Sequence, residues 1–267
     1  MPFHEYDRVI FNKNPLDKVV CQLRFPSILK IDVDIPYEYQ EKIREDFPDY
    51  NESNDIKLEV KSDEASQVPS DLIKEISKTQ GNKNHQFKSD DGIWSINLTR
   101  NFLALTTLNY VQWEDFLSKF KKVVEAFIEI YNPNYYSRIG LRYINVFQKS
   151  KLNLEKSSWK QLFNEHIIGL LGSEELEGEI LAFENKYEIK LSDAESKVRI
   201  LTGFVKSLDN EEIAYVIDND FYTNIKTPIE NMSERLEFYH SISSNLIRWC
   251  ITEKLFQAME PNKHETK

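Results

Sequence analysis

Three arginines and four acids are the side chains whose types and spacing could do chemistry. Arg138 and Arg142 stand four residues apart in the run YYSRIGLRYINVFQ, residues 135–148. Alternation there puts Ile139, Leu141, Tyr143 and Phe147 on one side of a strand, and Arg138, Gly140, Arg142 and Ile144 on the other. Arg24 shares this character in the run KVVCQLRFP, residues 18–26. A guanidinium fork recognises carboxylate or phosphate bidentately, so Arg24, Arg138 and Arg142 form a candidate binding face for an acidic peptide, a nucleotide or a nucleic-acid backbone. The alternative is internal: a second layer covers the strand, and Glu184 or Glu188 neutralises the arginines.

The acids are Asp218 and Asp220 in YVIDNDFY, and Glu184 and Glu188 in ENKYEIK. Each pair has the spacing of one strand face. Side by side, the four would offer the hard oxygen ligands of a divalent-metal phosphodiesterase or nuclease. The Glu188-Ile189-Lys190 tripeptide adds a fragment of a nuclease pattern. Against this, Glu184, Lys186, Glu188 and Lys190 alternate like a solvated charge ladder, and Asp218-Asn219-Asp220 suits a strand end.

Other chemistry finds little footing. His4, His85, His166, His240 and His264 are not at metal-ligand spacing, and His166 and His240 fall beside apolar helix faces, as hydrogen-bonded core imidazoles do. Cys21 and Cys250 sit far apart in apolar runs and read as buried thiols of a reducing compartment. There is no nucleophile elbow, phosphate loop or dinucleotide fingerprint, so no cofactor is expected.

The elements that must position these groups are legible from periodicity. The 267 residues are 40% hydrophobic, with 16 Phe and 13 Tyr, enough to build a core. A net charge of −10 opposes a broad grip on nucleic acid. Neither a membrane-length apolar run nor a signal-peptide core occurs, which predicts a cytoplasmic protein with no membrane partner.

Strands are expected over residues 18–26, 28–33, 56–60, 93–99, 102–108 and 135–148, and again over 179–191, 197–205 and 212–222. Helices are expected over 37–47, 69–78, 159–171 and 233–259, and over Trp113–Tyr131, where Phe116, Phe120, Val123, Phe127 and Ile130 make a stripe. Turns fall at Gly81–Asn84, at Asp90-Asp91-Gly92, at Arg100-Asn101 and at Asp209-Asn210-Glu211. The polar segment 149–158 suggests a division into halves, 1–150 and 151–267. The class is α+β: two halves, each a mainly antiparallel sheet covered by a long helix. Whether they share one sheet stays open at this level.

The runs NPLDKVVCQLRFPSILKI, IPYEYQEKIREDFPDY, FLALTTLNYVQWEDF and GLRYIN, in this order, resemble a sporadically distributed prokaryotic family of about this length with no assigned activity. The resemblance spans nearly the whole chain, most weakly over residues 52–87. It implies no catalytic residues. A patchy distribution implies defence or toxin–antitoxin neighbourhoods, which is association and not mechanism. Taken together, the sequence points to a non-enzymatic binding or regulatory protein with a protein partner, with the metal-dependent hydrolase as its rival.

Overall fold

The computed structural model describes residues 3–53, 83–176, 178–207 and 211–263. The expected strand 56–60 and helix 69–78 lie outside these residues, as do Gly81, Asn82, Asp209, Asn210 and His264.

The fold is α+β, built on one antiparallel sheet of nine strands. In chain order its strands are β2 (Leu16–Arg24), β3 (Asp49–Ser53), β4 (Asn84–Lys88), β5 (Trp94–Thr99) and β6 (Phe102–Thr107). They continue with β7 (Arg138–Phe147), β8 (Glu184–Lys190), β9 (Ser196–Lys206) and β10 (Ile213–Thr223). Across the sheet the order is β3-β4-β5-β6-β2-β7-β10-β9-β8. The halves therefore meet edge to edge through the β7–β10 pairing, where Arg142 lies opposite Asp220 and Ile144 opposite Asp218. A separate ribbon joins β1 (Val9–Phe11) to β11 (Pro261–Lys263), so both ends of the described chain run together.

The period-two pattern divides the sheet into an apolar and a polar face. Val19, Cys21, Leu23, Leu105, Ile139, Leu141, Ile200, Ile217 and Phe221 are buried on the first. Two helices of 19 residues pack there: Trp113–Tyr131, through Phe116, Phe120, Val123 and Phe127, and Met232–Cys250, through Leu236, Tyr239, Ile242 and Leu246. The first ends where its stripe ends. Asn132 adopts a left-handed conformation (φ 43°) and its N–H reaches the Ile128 carbonyl, a role asparagine tolerates better than most residues.

Strands β1, β3, β4 and β11 are not expected from the sequence, and three expected elements take another form. Residues 28–33 are not extended, because Lys30–Val33 makes a helical turn that buries Ile31. The helices expected over 159–171 and 233–259 are both broken, and by the same contact. Phe163 and Ile251 are extended and form an isolated β-bridge. The Asn164 amide donates to the carbonyls of Trp249 and Ile251 at 2.8 and 3.0 Å. Thr252 then accepts from Leu255 N–H and starts the new helix Glu253–Ala258. Among the described residues, no helix is long and apolar enough to cross a membrane.

Candidate functional site

On the polar face the structure brings the arginines to acids, though not to the expected ones. Arg138 Nη2 donates to both oxygens of Asp220, at 2.9 and 2.8 Å. Arg142 Nε donates to Asp218 Oδ1 at 2.7 Å, and its Nη2 donates to Oδ2 of the same carboxylate. These side chains are 13% or less exposed. Burial works against the Arg142 charge, and the Asp218 carboxylate more than offsets it, holding the guanidinium above its ordinary pKa. The partners are thus Asp218 and Asp220 of the neighbouring strand, rather than Glu184 or Glu188 from a covering layer.

Gly140 makes the longer of these reaches possible. Arg138 must fold back along its strand to meet Asp220, and a Cβ at position 140 would lie 2.1 Å from Arg138 Nη1. The guanidinium also lies over the Tyr222 ring, 5.0 Å from its centroid. Gln22 Oε1 accepts from Arg138 Nη1 at 3.1 Å and from Arg24 Nε at 3.2 Å, so one amide oxygen serves two cations on paired strands.

The four acids of the hydrolase reading are not brought together. Strand β9 separates β8 from β10, and Arg199 stands across from Glu188 on one side and Asp220 on the other. Glu188 accepts from Lys197 at 2.6 Å and from the Tyr222 hydroxyl at 2.7 Å, and these bonds lower its pKa. Glu184 is exposed, opposite Gly203. Among the described residues, no group of three or more His, Cys, Asp or Glu could hold a metal ion.

A different site lies on the helix side, between the N-terminal arm, β7 and the helix Met232–Cys250. It is a cavity of about 300 Å³. The arm supplies Tyr6, Val9, Phe11 and Leu16, the approach to the first long helix supplies Tyr110 and Val111, and the second long helix supplies His240, Ser243 and Ile247. Phe256 closes one end, and Tyr143 and Asn145 reach it from β7.

The arm is held by the β1–β11 ribbon, by Tyr6 N–H donating to Asn245 Oδ1 of the second long helix at 3.0 Å, and by a two-bond fork from Arg8 to Glu114 at 2.6 and 2.8 Å. The edges of Phe11 and Phe256 meet at a centroid separation of 5.6 Å.

The polar centre of this cavity is neutral. The Tyr143 hydroxyl lies 3.1 Å from His240 Nδ1. Trp113 stacks on the imidazole at 4.5 Å, and its indole N–H donates to Glu237 at 2.8 Å. Burial, aided by the positive Arg8 and opposed by Glu114, lowers the His240 pKa to about 4. Burial also raises the Tyr110 and Tyr143 hydroxyls above the ordinary range. At neutral pH this is an uncharged imidazole among phenols and serines, inside an apolar wall.

The remaining titratable candidates are structural. His85 lies between the Tyr50 hydroxyl at 3.0 Å and the Ile31 carbonyl at 2.8 Å, and His166 stacks on Trp249 at 3.6 Å. Cys21 and Cys250 are buried free thiols, pushed up in pKa by burial. Sequence reasoning missed the cavity and classed His240 with core imidazoles. The available signal was Tyr143 with Asn145 on the apolar side of β7, facing a helix that carries His240 and Ser243.

No protein-family model matches this chain, and no curated protein matches it. Among solved structures, the di-domain ARO/CYC StfQ from the steffimycin biosynthetic pathway aligns over 91% of this chain and 96% of its own, at 7% identity and a TM-score of 0.18. A superposition that weak carries no argument about fold or function.

Proposed function

We propose that this chain is a non-enzymatic binding or regulatory protein whose recognition site is the cavity beneath the N-terminal arm. One observation carries the reading. Arg138, Arg142, Asp218, Asp220 and Glu188 are all engaged in ion pairs along β7, β10, β9 and β8, whereas the cavity gathers neutral hydrogen-bonding groups in an apolar wall. A protein partner that reads ligand occupancy, a cytoplasmic setting and a place in a defence or toxin–antitoxin type module belong to the same proposal. The resemblance to the sporadic prokaryotic family supports those parts.

The test is to denature purified protein, extract it, and identify released small molecules by mass spectrometry. A near-stoichiometric compound should come from the wild type and be missing from Ile247→Trp, whose indole fills the cavity. The hydrolase alternative makes the opposite claim. Mn²⁺ or Mg²⁺ would then raise the melting temperature and support phosphodiester cleavage, and Asp218→Asn would abolish both. Such a metal-dependent result would replace the binding reading.

A further inference from the structure

Resting on the cavity reading, we infer that the ligand is a small uncharged molecule, mostly apolar, that carries a single hydroxyl or carbonyl group. The charges at the mouth exclude the ionic classes first. Arg8 is committed to Glu114 through two hydrogen bonds of 2.6 and 2.8 Å. Arg248 donates to Glu253 and lies over the Phe256 ring, 4.0 Å from its centroid. With each cation matched by an acid, the rim retains the exposed carboxylate of Asp7, which repels an anion.

A cation fares no better inside. Asp7 stands at the rim; deeper in, the neutral polar groups that edge the cavity from β7 and the long helix are Tyr143, Asn145, His240, Ser243 and Ser244, none an acid. An ammonium group brought there would lose its hydration without gaining a carboxylate.

The same groups specify the polar handle. His240 Nδ1 is engaged with the Tyr143 hydroxyl at 3.1 Å. Neutral imidazole has one donor and one acceptor nitrogen, so its second nitrogen complements a hydroxyl in either tautomer and a carbonyl in one. The Ser243 hydroxyl donates to the His240 carbonyl at 2.8 Å, and its oxygen, like that of Tyr143, can still accept. Much of the remaining wall is apolar, with Val9, Phe11, Leu16, Ile247 and Phe256, which asks for hydrocarbon. A volume of about 300 Å³ sets the scale of a small organic molecule rather than a peptide or a lipid with two chains.

Three probes of one shape separate the possibilities: 4-propylphenol, propylbenzene and 4-propylbenzoate, titrated calorimetrically into the full chain at pH 7.5. The phenol should bind best, with propylbenzene weaker by about three- to ten-fold for the lost hydrogen bond. The benzoate should be weaker by at least about ten-fold, because its charge has no partner in the cavity. Ile247→Trp and the rim variant Val111→Trp, with native-like melting, should each reduce phenol binding. Val111 is 59% exposed, so its replacement does not depend on repacking the core.

Benzoate binding as tight as the phenol, and lost in Ile247→Trp, would overturn the ligand class while leaving the cavity as the recognition site. Phenol binding unaffected by both tryptophan variants, or no binding of any of the three probes, would overturn the cavity itself.

Discussion

The two faces of the central sheet use polar groups in opposite ways. On the polar face, Arg138 and Arg142 each hold a carboxylate, Glu188 holds Lys197 and Tyr222, and Gln22 bridges two arginines. Under the helices, His240, Tyr143 and Ser243 border an open cavity and carry no net charge. The first arrangement fixes strand register, since a fork across β7 and β10 is satisfied in one alignment. The second leaves room for a molecule that is not part of the chain. Charge density, the more visible signal in a sequence, here marks the joint between the halves.

The largest test of this contrast is to break one fork. Arg142→Ala should lower stability by about 3–5 kcal/mol, because Asp218, only 4% exposed, is left without its partner. The pair replacement Arg142→Met with Asp218→Leu should recover most of that loss. Chemical denaturation measures both. An Arg142→Ala protein with wild-type stability would show that the fork is not what joins the halves, and would return the arginine to the recognition reading.

Acid should act next most strongly, and on the other face. His240 titrates near 4 in the folded protein because burial disfavours its charge, against about 6.5 when unfolded. The unfolded chain therefore binds the extra proton first. The stability linked to neutral His240 is fully present above pH 6.5 and is lost as pH falls through 4, by up to about 3 kcal/mol. The Arg8 and Glu114 charges and the Tyr143 hydroxyl act on the imidazole, Tyr110 adjoins Tyr143, and Glu237 accepts from the Trp113 indole stacked on the ring. Glu114, held down to about 2 by its bond to Arg8, loses its own contribution below about pH 4.5, so its window begins only where that of His240 is ending. Melting curves from pH 7 to pH 5 lie above the Glu114 window, and His166, whose pKa burial also lowers, adds to the same slope. His240→Gln should reduce that slope more than His166→Gln does, and a slope unchanged by His240→Gln would place its origin elsewhere.

Gly140→Ala probes how closely the polar face is built. The new methyl takes the space of the Arg138 guanidinium, which must swing from Asp220. A loss of about 1–2 kcal/mol is expected, smaller than for Arg142→Ala because the arginine is displaced rather than removed. Combining Gly140→Ala with Arg138→Met should cost little beyond Arg138→Met alone. Full additivity would mean that position 140 acts through its backbone and not through the arginine.

How much of this was legible depended on where the information lay. Strand β7 and the helix Trp113–Tyr131 follow from periodicity, because a face that must be buried repeats at fixed spacing. The opposite face of β7 was equally readable as a row of arginines, yet not its partners. Which acid meets Arg138 depends on β10 lying beside β7, a pairing between residues 82 positions apart. The broken helices hid for a related reason. Phe163 and Ile251 both continue a helical stripe, and only their mutual bridge pulls them out of it. The cavity was least legible of all, since five separated segments build it and each contributes residues that look like ordinary core.

The smallest expected effect concerns the arm that walls the cavity. Arg8 and Glu114 are 40% and 55% exposed, so their fork is screened and Arg8→Ala should change global stability by less than about 1 kcal/mol. Local stability is a different matter. The β1–β11 ribbon has three residues on each side and does not belong to the large sheet; beside it the arm is held by Phe3 against Trp249, by Tyr6 N–H on Asn245 and by Lys13 on Glu260, so the Arg8 fork is one of a few local fastenings. Arg8→Ala should therefore speed hydrogen exchange at the backbone amides of β1 by roughly three- to five-fold, following the loss of under 1 kcal/mol, while those of β7 stay unchanged. If the arm gates the cavity, association of 4-propylphenol should quicken in the same variant. Faster exchange in both strands would mean that the fork supports the whole fold. Unchanged exchange in both would leave the ribbon and the Tyr6–Asn245 bond as the arm's real fastening.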